Sequence, residues 1–199
     1  MATGARRRLT AGQRREAILA AAMAVFAEHG YAGTSLDQVA QGAGISKALI
    51  YEHFPSKKEL HASLVEAEIA ELLERLAASV AGGVHGEERL RAGVDAFLGF
   101  VEERRVAWRL LFRDAADGEN ADVLDRAETR AVTVIVELSE DQTPEPAEVR
   151  EIYARLLAGA LQSLANWWLD HPEVPRERLV DRVLEFAWHG LREASGPPR

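Results

Sequence analysis

The polar side chains between residues 34 and 57 are spaced to hold an anion, not to break a bond. Ser35 and Ser46 each stand just before a short segment with helical apolar spacing, the place of a helix N-cap. Free backbone N–H groups and the positive end of the helix dipole favour a phosphate there. Lys47 falls in the first turn after Ser46, Tyr51 and His53 lie on the same segment, and Lys57 opens the next one. Each can donate to a phosphate oxygen, and a lysine can also read a guanine edge. Ala48 and Leu49 sit beside them, and Leu49 could touch a thymine methyl. Glu52 could accept from a cytosine amine or point aside. A packed tyrosine at 51 and a helix-end histidine at 53 are the plainer alternatives for those two residues.

The rest of the chain offers little for catalysis. It has no cysteine, which removes disulfides, thiolate metal sites and cysteine nucleophiles together. The histidines (His29, His53, His61, His85, His171 and His189) are scattered, mostly near expected helix or loop ends, and read as surface residues. No Ser/His/Asp constellation, glycine-rich phosphate loop or His-x-x-x-His spacing occurs. No enzyme activity, metal or cofactor is expected.

Two short helices must position the donors. Leu36, Val39 and Ala40 can pack inward from the first, and Ile45, Ile50 and Phe54 from the second. Gly42-Ala43-Gly44 between them permits a tight turn. This is the layout of a helix-turn-helix unit, whose second helix lies in the major groove. A helix from Thr10 to about His29, ended by Gly30, precedes it. Ser56 and Glu59 form a capping-box pattern that opens a long helix from Lys57 to about Val80.

Helical spacing continues to the end: about 87–103, 105–115, 121–140, 147–170, and a last helix opened by Pro175. Val132–Val136 looks strand-like, but Leu124, Ala127, Ala131, Ile135 and Leu138 keep three-to-four spacing, so it too reads as helix. No apolar run reaches the ~20 residues that span a bilayer, and no secretory core follows the N-terminal arginines. The chain is therefore expected in the cytoplasm, away from membranes.

Net charge is −8, which alone argues against nucleic acid, but it is unevenly placed. Residues 1–60 hold eight basic and five acidic side chains, net +3, which leaves −11 for the remainder. A basic head on an acidic body presents one end to phosphates.

The run Gly30-Tyr31-Ala32-Gly33-Thr34-Ser35, then Val39-Ala40, then Ala43-Gly44-Ile45-Ser46-Lys47, then Ile50 through Leu60 resembles the N-terminal domain of the TetR family of bacterial regulators. The resemblance covers about residues 12–60. It implies an all-α, nine-helix architecture: a three-helix helix-turn-helix domain (10–56) and a helical ligand-binding and dimerisation domain (57–195). Residues 1–9, with Arg6, Arg7 and Arg8, would form a basic arm that reaches a minor groove or merely aids solubility; residues 196–199 would be a frayed tail. Ser35, Ser46, Lys47, Ala48, Leu49, Tyr51, His53 and Lys57 fall on the family's DNA-contact positions. Leu49 departs from the small or hydroxylated residue many members carry there.

The resemblance further implies a homodimer with an inducer pocket. Two recognition helices on a twofold axis would read a palindromic double-stranded DNA operator, and the aromatic body favours an unidentified small lipophilic inducer. A repressor is expected, with an activator as the alternative. Phe97, Trp108, Phe112, Tyr153, Leu157 and Trp168 are expected to line the inducer pocket, with Asn166, Gln162 and Arg109 as orienting groups. The plainer alternative is that these aromatics only fill the core, as in a DNA-binding protein that takes no ligand. Ala158, Leu161, Ala165, Val183, Phe186 and Gly190 are expected on the dimer face of the last two helices.

Overall fold

The computed structural model describes residues 10–114, 120–139 and 144–194. The expected basic arm and frayed tail lie outside them. Nine helices run among the described residues: α1 (Ala11–Gly33), α2 (Leu36–Gly42), α3 (Lys47–His53), α4 (Lys57–Val80), α5 (Gly86–Glu103), α6 (Arg105–Trp108), α7 (Ala121–Ser139), α8 (Ala147–Trp168) and α9 (Arg176–Ala194).

Side chains that satisfy free backbone donors set the helix starts. Thr10 accepts from the Gln13 N–H and Ser35 from the Gln38 N–H, and each glutamine answers back to the cap backbone. Ser46 caps α3 through Leu49, and Ser56 caps α4 through Glu59. Gly30 adopts φ 68° and breaks α1, as its expected role as a terminator required, but the chain then resumes a helical turn through Gly33. Thr34 ends that turn by donating its hydroxyl to the Gly30 carbonyl at 2.8 Å.

Helix α4 is the central beam. Its neighbours are α1, α5 and α7; α9 lies on α5, and α8 on α7 and α5. Most of the buried apolar residues form one connected cluster from Ile18 in α1 to Leu184 in α9. Each fully buried aliphatic or aromatic side chain in it contributes about 1.5–3 kcal/mol relative to exposure. His61 is part of this interior, fully buried against the rings of Phe26 and Tyr31. The expectation of a surface histidine fails here because position 61 falls on the apolar stripe of α4.

Charged groups tie the helices at their ends. Arg89 donates to the Val80 carbonyl at 3.0 Å and to the Leu138 carbonyl at 2.7 Å, closing the C-terminal ends of α4 and α7. Arg176 bridges α9 to Asp95 and Glu102 of α5. At the opposite end Lys58 pairs with Asp122 at 2.6 Å, joining the first turns of α4 and α7. The Lys58 hydrogen bond, with help from Arg126, holds the Asp122 carboxyl down from 3.8 to about 2. Such a depressed carboxyl stabilises the fold at pH above its unfolded value and loses that effect as pH falls through about 2. Wild-type protein should therefore be more stable than Asp122→Asn at neutral pH. The gap should shrink between pH 4 and pH 2 in parallel denaturant titrations; a gap independent of pH would contradict the pairing.

The segment expected as one helix over 105–115 divides. After α6 the chain widens into a π-turn over Arg109–Arg113, with the Asp114 N–H on the Arg109 carbonyl at 2.8 Å. Contacts on two sides set this winding. The turn packs on α1 and α4. Arg105, Arg109 and Arg113 reach the C-terminal end of α8, onto the Trp168 carbonyl (3.2 Å), the Leu169 carbonyl (3.4 Å) and the Asp170 carboxylate (2.9 Å).

Candidate nucleic-acid interface

The α2–α3 pair is built from its turn outward. Gly44 takes φ 65°, a left-handed conformation that side chains disfavour, and its N–H reaches the Gln41 carbonyl. The Ile45 N–H then bonds the Ala40 carbonyl at 3.0 Å. Leu36, Val39 and Ala40 of α2 and Ile50 of α3 are buried, so the two helices cross with their apolar sides inward. Phe54 closes the unit from below, with the Arg15 guanidinium 4.8 Å from its ring.

The opposite face of α3 is open to solvent. Ser46, Lys47, Ala48, Tyr51 and Glu52 are exposed, and Leu49 and His53 are half-buried. Tyr51 is 42% exposed, so the packed-tyrosine alternative does not describe it. His53 lies at the last turn with its ring 6.4 Å from Phe54, a helix-end position. Ser35 is exposed at the start of α2, beside α3. Seven of the eight expected contact residues thus lie on α3 or at the caps of α2 and α3.

Lys57 differs. Its ammonium donates to the Tyr31 carbonyl at 2.9 Å and sits 4.4 Å from the Tyr31 ring centroid. It therefore caps the resumed turn at the end of α1 and fixes the start of α4 against it. The sequence also gave no prominence to Asp37, whose carboxylate accepts from Lys47 at 2.7 Å. That hydrogen bond, with the negative charge behind it, raises the Lys47 ammonium above its ordinary value. Gln38 and Gln13 were legible in principle, since Ser-x-x-Gln and Thr-x-x-Gln are capping-box patterns.

The residues expected around an inducer lie far from α3 along the chain, and three of them meet. Phe97 meets Trp108 edge-on at 5.4 Å, and Trp108 stacks on Phe112 at 4.6 Å. The Trp108 indole donates to Asn166 Oδ1 at 3.0 Å. All three rings are buried. Trp168 is buried separately, its indole on the Val174 carbonyl at 2.8 Å and the Arg105 guanidinium 4.5 Å from its ring. Tyr153 and Leu157 are half-buried on α8. Arg109 turns to the Leu169 carbonyl, away from the expected orienting role.

The expected dimer face needs a correction. Leu161 and Ala165 are buried in this chain's own core, so they are not available to a second copy. Ala158 and Val183 are half-buried. Phe186 is 78% exposed, and Gly190 falls outside the described side chains. The outward apolar residues of α8 are instead Ile152, Leu156 and Trp167. No described helix is long and apolar enough to cross a membrane.

Known proteins share this arrangement. Residues 18–64 match the family described as bacterial regulatory proteins, tetR family, and residues 87–190 match the tetracyclin repressor-like C-terminal domain. The chain is 31% identical over 187 residues to the HTH-type transcriptional activator FasR of Mycolicibacterium smegmatis, covering 92% of this chain and 85% of that protein. It is similar to the crystal structure of a TetR-like transcriptional regulator from Rhodococcus sp. RHA1, at 31% identity and TM-score 0.72, over 93% of this chain and 99% of that one. The fold is also that of a regulator named FadR from Bacillus subtilis, solved with stearoyl-CoA, at 16% identity and TM-score 0.74, over 88% of this chain and 98% of that one. These are regulators, not enzymes, and with both halves matched and an exposed α3 on a helix-turn-helix the chain belongs to the TetR family of DNA-binding transcriptional regulators.

Proposed function

We propose that the protein acts as a homodimer on a palindromic operator and is released by a small lipophilic ligand. The observation that carries the DNA half of this reading is the exposed, capped α3 with Lys47, Ala48 and Tyr51 facing solvent. One seven-residue helix makes too few base contacts for specificity. Two related by a twofold axis read half-sites about 34–36 Å, or a multiple, apart. Ser35, Ser46 and His53 would serve backbone phosphates, and Leu49 an apolar base contact. Lys57 would contribute indirectly, by holding α1 against α4. The arm of Arg6, Arg7 and Arg8 would add sequence-independent affinity.

The outward apolar residues Ile152, Leu156, Trp167 and Phe186 support the dimer, since burying them between copies removes large side chains from water. Leu156→Glu combined with Phe186→Glu is expected to give a monomer by light scattering and to weaken operator binding at nanomolar protein. A dimer that persists with both charges in place would count against this face.

The ring stack of Phe97, Trp108 and Phe112 supports a lipophilic ligand, with Asn166 to orient one polar group. Tyr153, Leu157 and Trp168 are the further residues proposed around it. Trp108 and Phe112 ride on α6 and the π-turn, which touch α1 and α4. A ligand that parts the rings must therefore shift the head, with a coupling of about 1–3 kcal/mol. The regulator of similar fold solved with stearoyl-CoA makes long-chain acyl thioesters the first compounds to test.

Repression is the proposed sign. Similarity to a protein named an activator favours activation as a second reading. A binding screen on a random duplex library, repeated with lipophilic compounds, tests the whole proposal. Release of a selected palindrome by such a compound supports it; binding that no lipophilic compound alters would remove the ligand half. A reporter carrying that palindrome then reads the sign.

A further inference from the structure

We propose that Asp37 is a positioning residue for sequence reading: it holds Lys47 in one orientation on α3 and lowers its attraction for phosphate backbone in general. This deepens the DNA-binding reading above and rests on it. The pair crosses the turn between the helices. Asp37 lies in the first turn of α2, where the helix dipole favours a carboxylate, and Lys47 opens α3. Their hydrogen bond measures 2.7 Å, and the Tyr51 ring centroid lies 5.8 Å from the same ammonium. The lysine is thus fixed on two sides at the exposed end of the recognition helix.

Both partners are more than half exposed, at 68% and 51% of their side chains. Exposed pairs of this kind add little to fold stability. The consequence for binding is larger. A lysine ammonium carries three N–H donors, and Asp37 uses one. The others remain for acceptors such as guanine O6 and N7. A free lysine samples many rotamers and meets any phosphate as a point charge. One tethered to a carboxylate loses that freedom before DNA arrives, and its charge is partly cancelled towards the backbone. An exposed acid beside Lys47 also repels phosphates, whatever the sequence. Asp37 therefore lowers random-sequence affinity while keeping the contact that discriminates.

The test compares two probes: a duplex selected from a random library by the wild-type protein, and a scrambled duplex of equal composition. Asp37→Asn is expected to bind the scrambled duplex several-fold more tightly, with a steeper salt dependence. The ratio of selected to scrambled affinity should fall about tenfold, within the range one discriminating contact supplies. Asp37→Glu, which can still hold the lysine, should keep most of the ratio. In a Lys47→Gln background Asp37→Asn should raise both affinities alike and leave the ratio unmoved. Simple loss of repulsion would do the same in the wild-type background, so a fall of the ratio that vanishes without Lys47 is the mark of positioning. Thermal melts check that each variant folds. An unchanged ratio in Asp37→Asn, or an equal change in both backgrounds, overturns the role of Asp37 while the DNA reading stands. Wild-type protein that selects no duplex overturns both.

Discussion

Ala48→Glu is expected to lower operator affinity at least about 100-fold and to leave the thermal midpoint nearly unchanged. Ala48 is exposed on α3, between Lys47 and Leu49, with no packing role in the chain's own core. A glutamate there keeps a good helix former, so α3 survives. It adds bulk and a negative charge to the face proposed to enter the groove. Loss of one base contact costs about 1–3 kcal/mol, and a twofold-symmetric complex loses it twice. About 1.4 kcal/mol at each half-site already gives about 100-fold, and the middle of that range gives more. Fluorescence anisotropy on a selected duplex reads the affinity and a melt reads the fold. A variant that binds as wild type would place the DNA face elsewhere.

Trp168→Ala has the largest effect expected on the fold. The indole is 1% exposed, donates to the Val174 carbonyl and carries the Arg105 guanidinium on its face. Truncation leaves a cavity and strips a carbonyl of its donor. Changes of this class cost about 3–5 kcal/mol. For a chain of this size that is about 6–20 °C in melting temperature. Trp168→Phe separates the two contributions, since it keeps most of the ring area and loses only the donor, at about 1–3 kcal/mol. The alanine substitution also removes the ring under the Arg105 guanidinium, and so loosens one of the contacts that join α6 and the π-turn to the end of α8. In the Ala variant, sensitivity of DNA binding to a lipophilic ligand should fall along with stability. An alanine variant that melts with wild type would mean the end of α8 collapses around the gap or that Trp168 is poorly packed.

The parts of the structure that a reader of the sequence could foresee are those fixed by local chemistry. Ser35, Ser46 and Ser56 announce three helix starts because a hydroxyl at an N-cap meets donors only two or three residues away. Gly44 announces the turn because few other residues tolerate its φ. Long-range choices were less legible. Helix α8 carries apolar residues around much of its circumference, so its small residues fitted either the protomer core or a second copy. Leu161 and Ala165 proved to face inward, and Ile152 and Leu156 outward. Aromatic content at 97, 108 and 112 gave the location of a ring cluster but not whether the rings enclose space or fill it. The π-turn depends on contacts with α1, α4 and α8, which no window of eleven residues contains. Lys57 reads the same in sequence whether it faces a phosphate or the Tyr31 carbonyl.

The exposed face of α3 is the element on which everything else depends, and the absence of cysteine from the chain allows it to be tested directly. Ala48→Cys creates a single thiol on that face, to which a DNA-cleaving iron chelate can be attached. On a selected duplex the chelate is expected to cut at two places, each centred on a major groove and separated by about one helical turn or a multiple. The same chelate at Ser163→Cys, on α8, should give no such pattern. Absence of cutting from position 48, or a pattern indistinguishable from that of the α8 control, would contradict the placement of α3 in the groove.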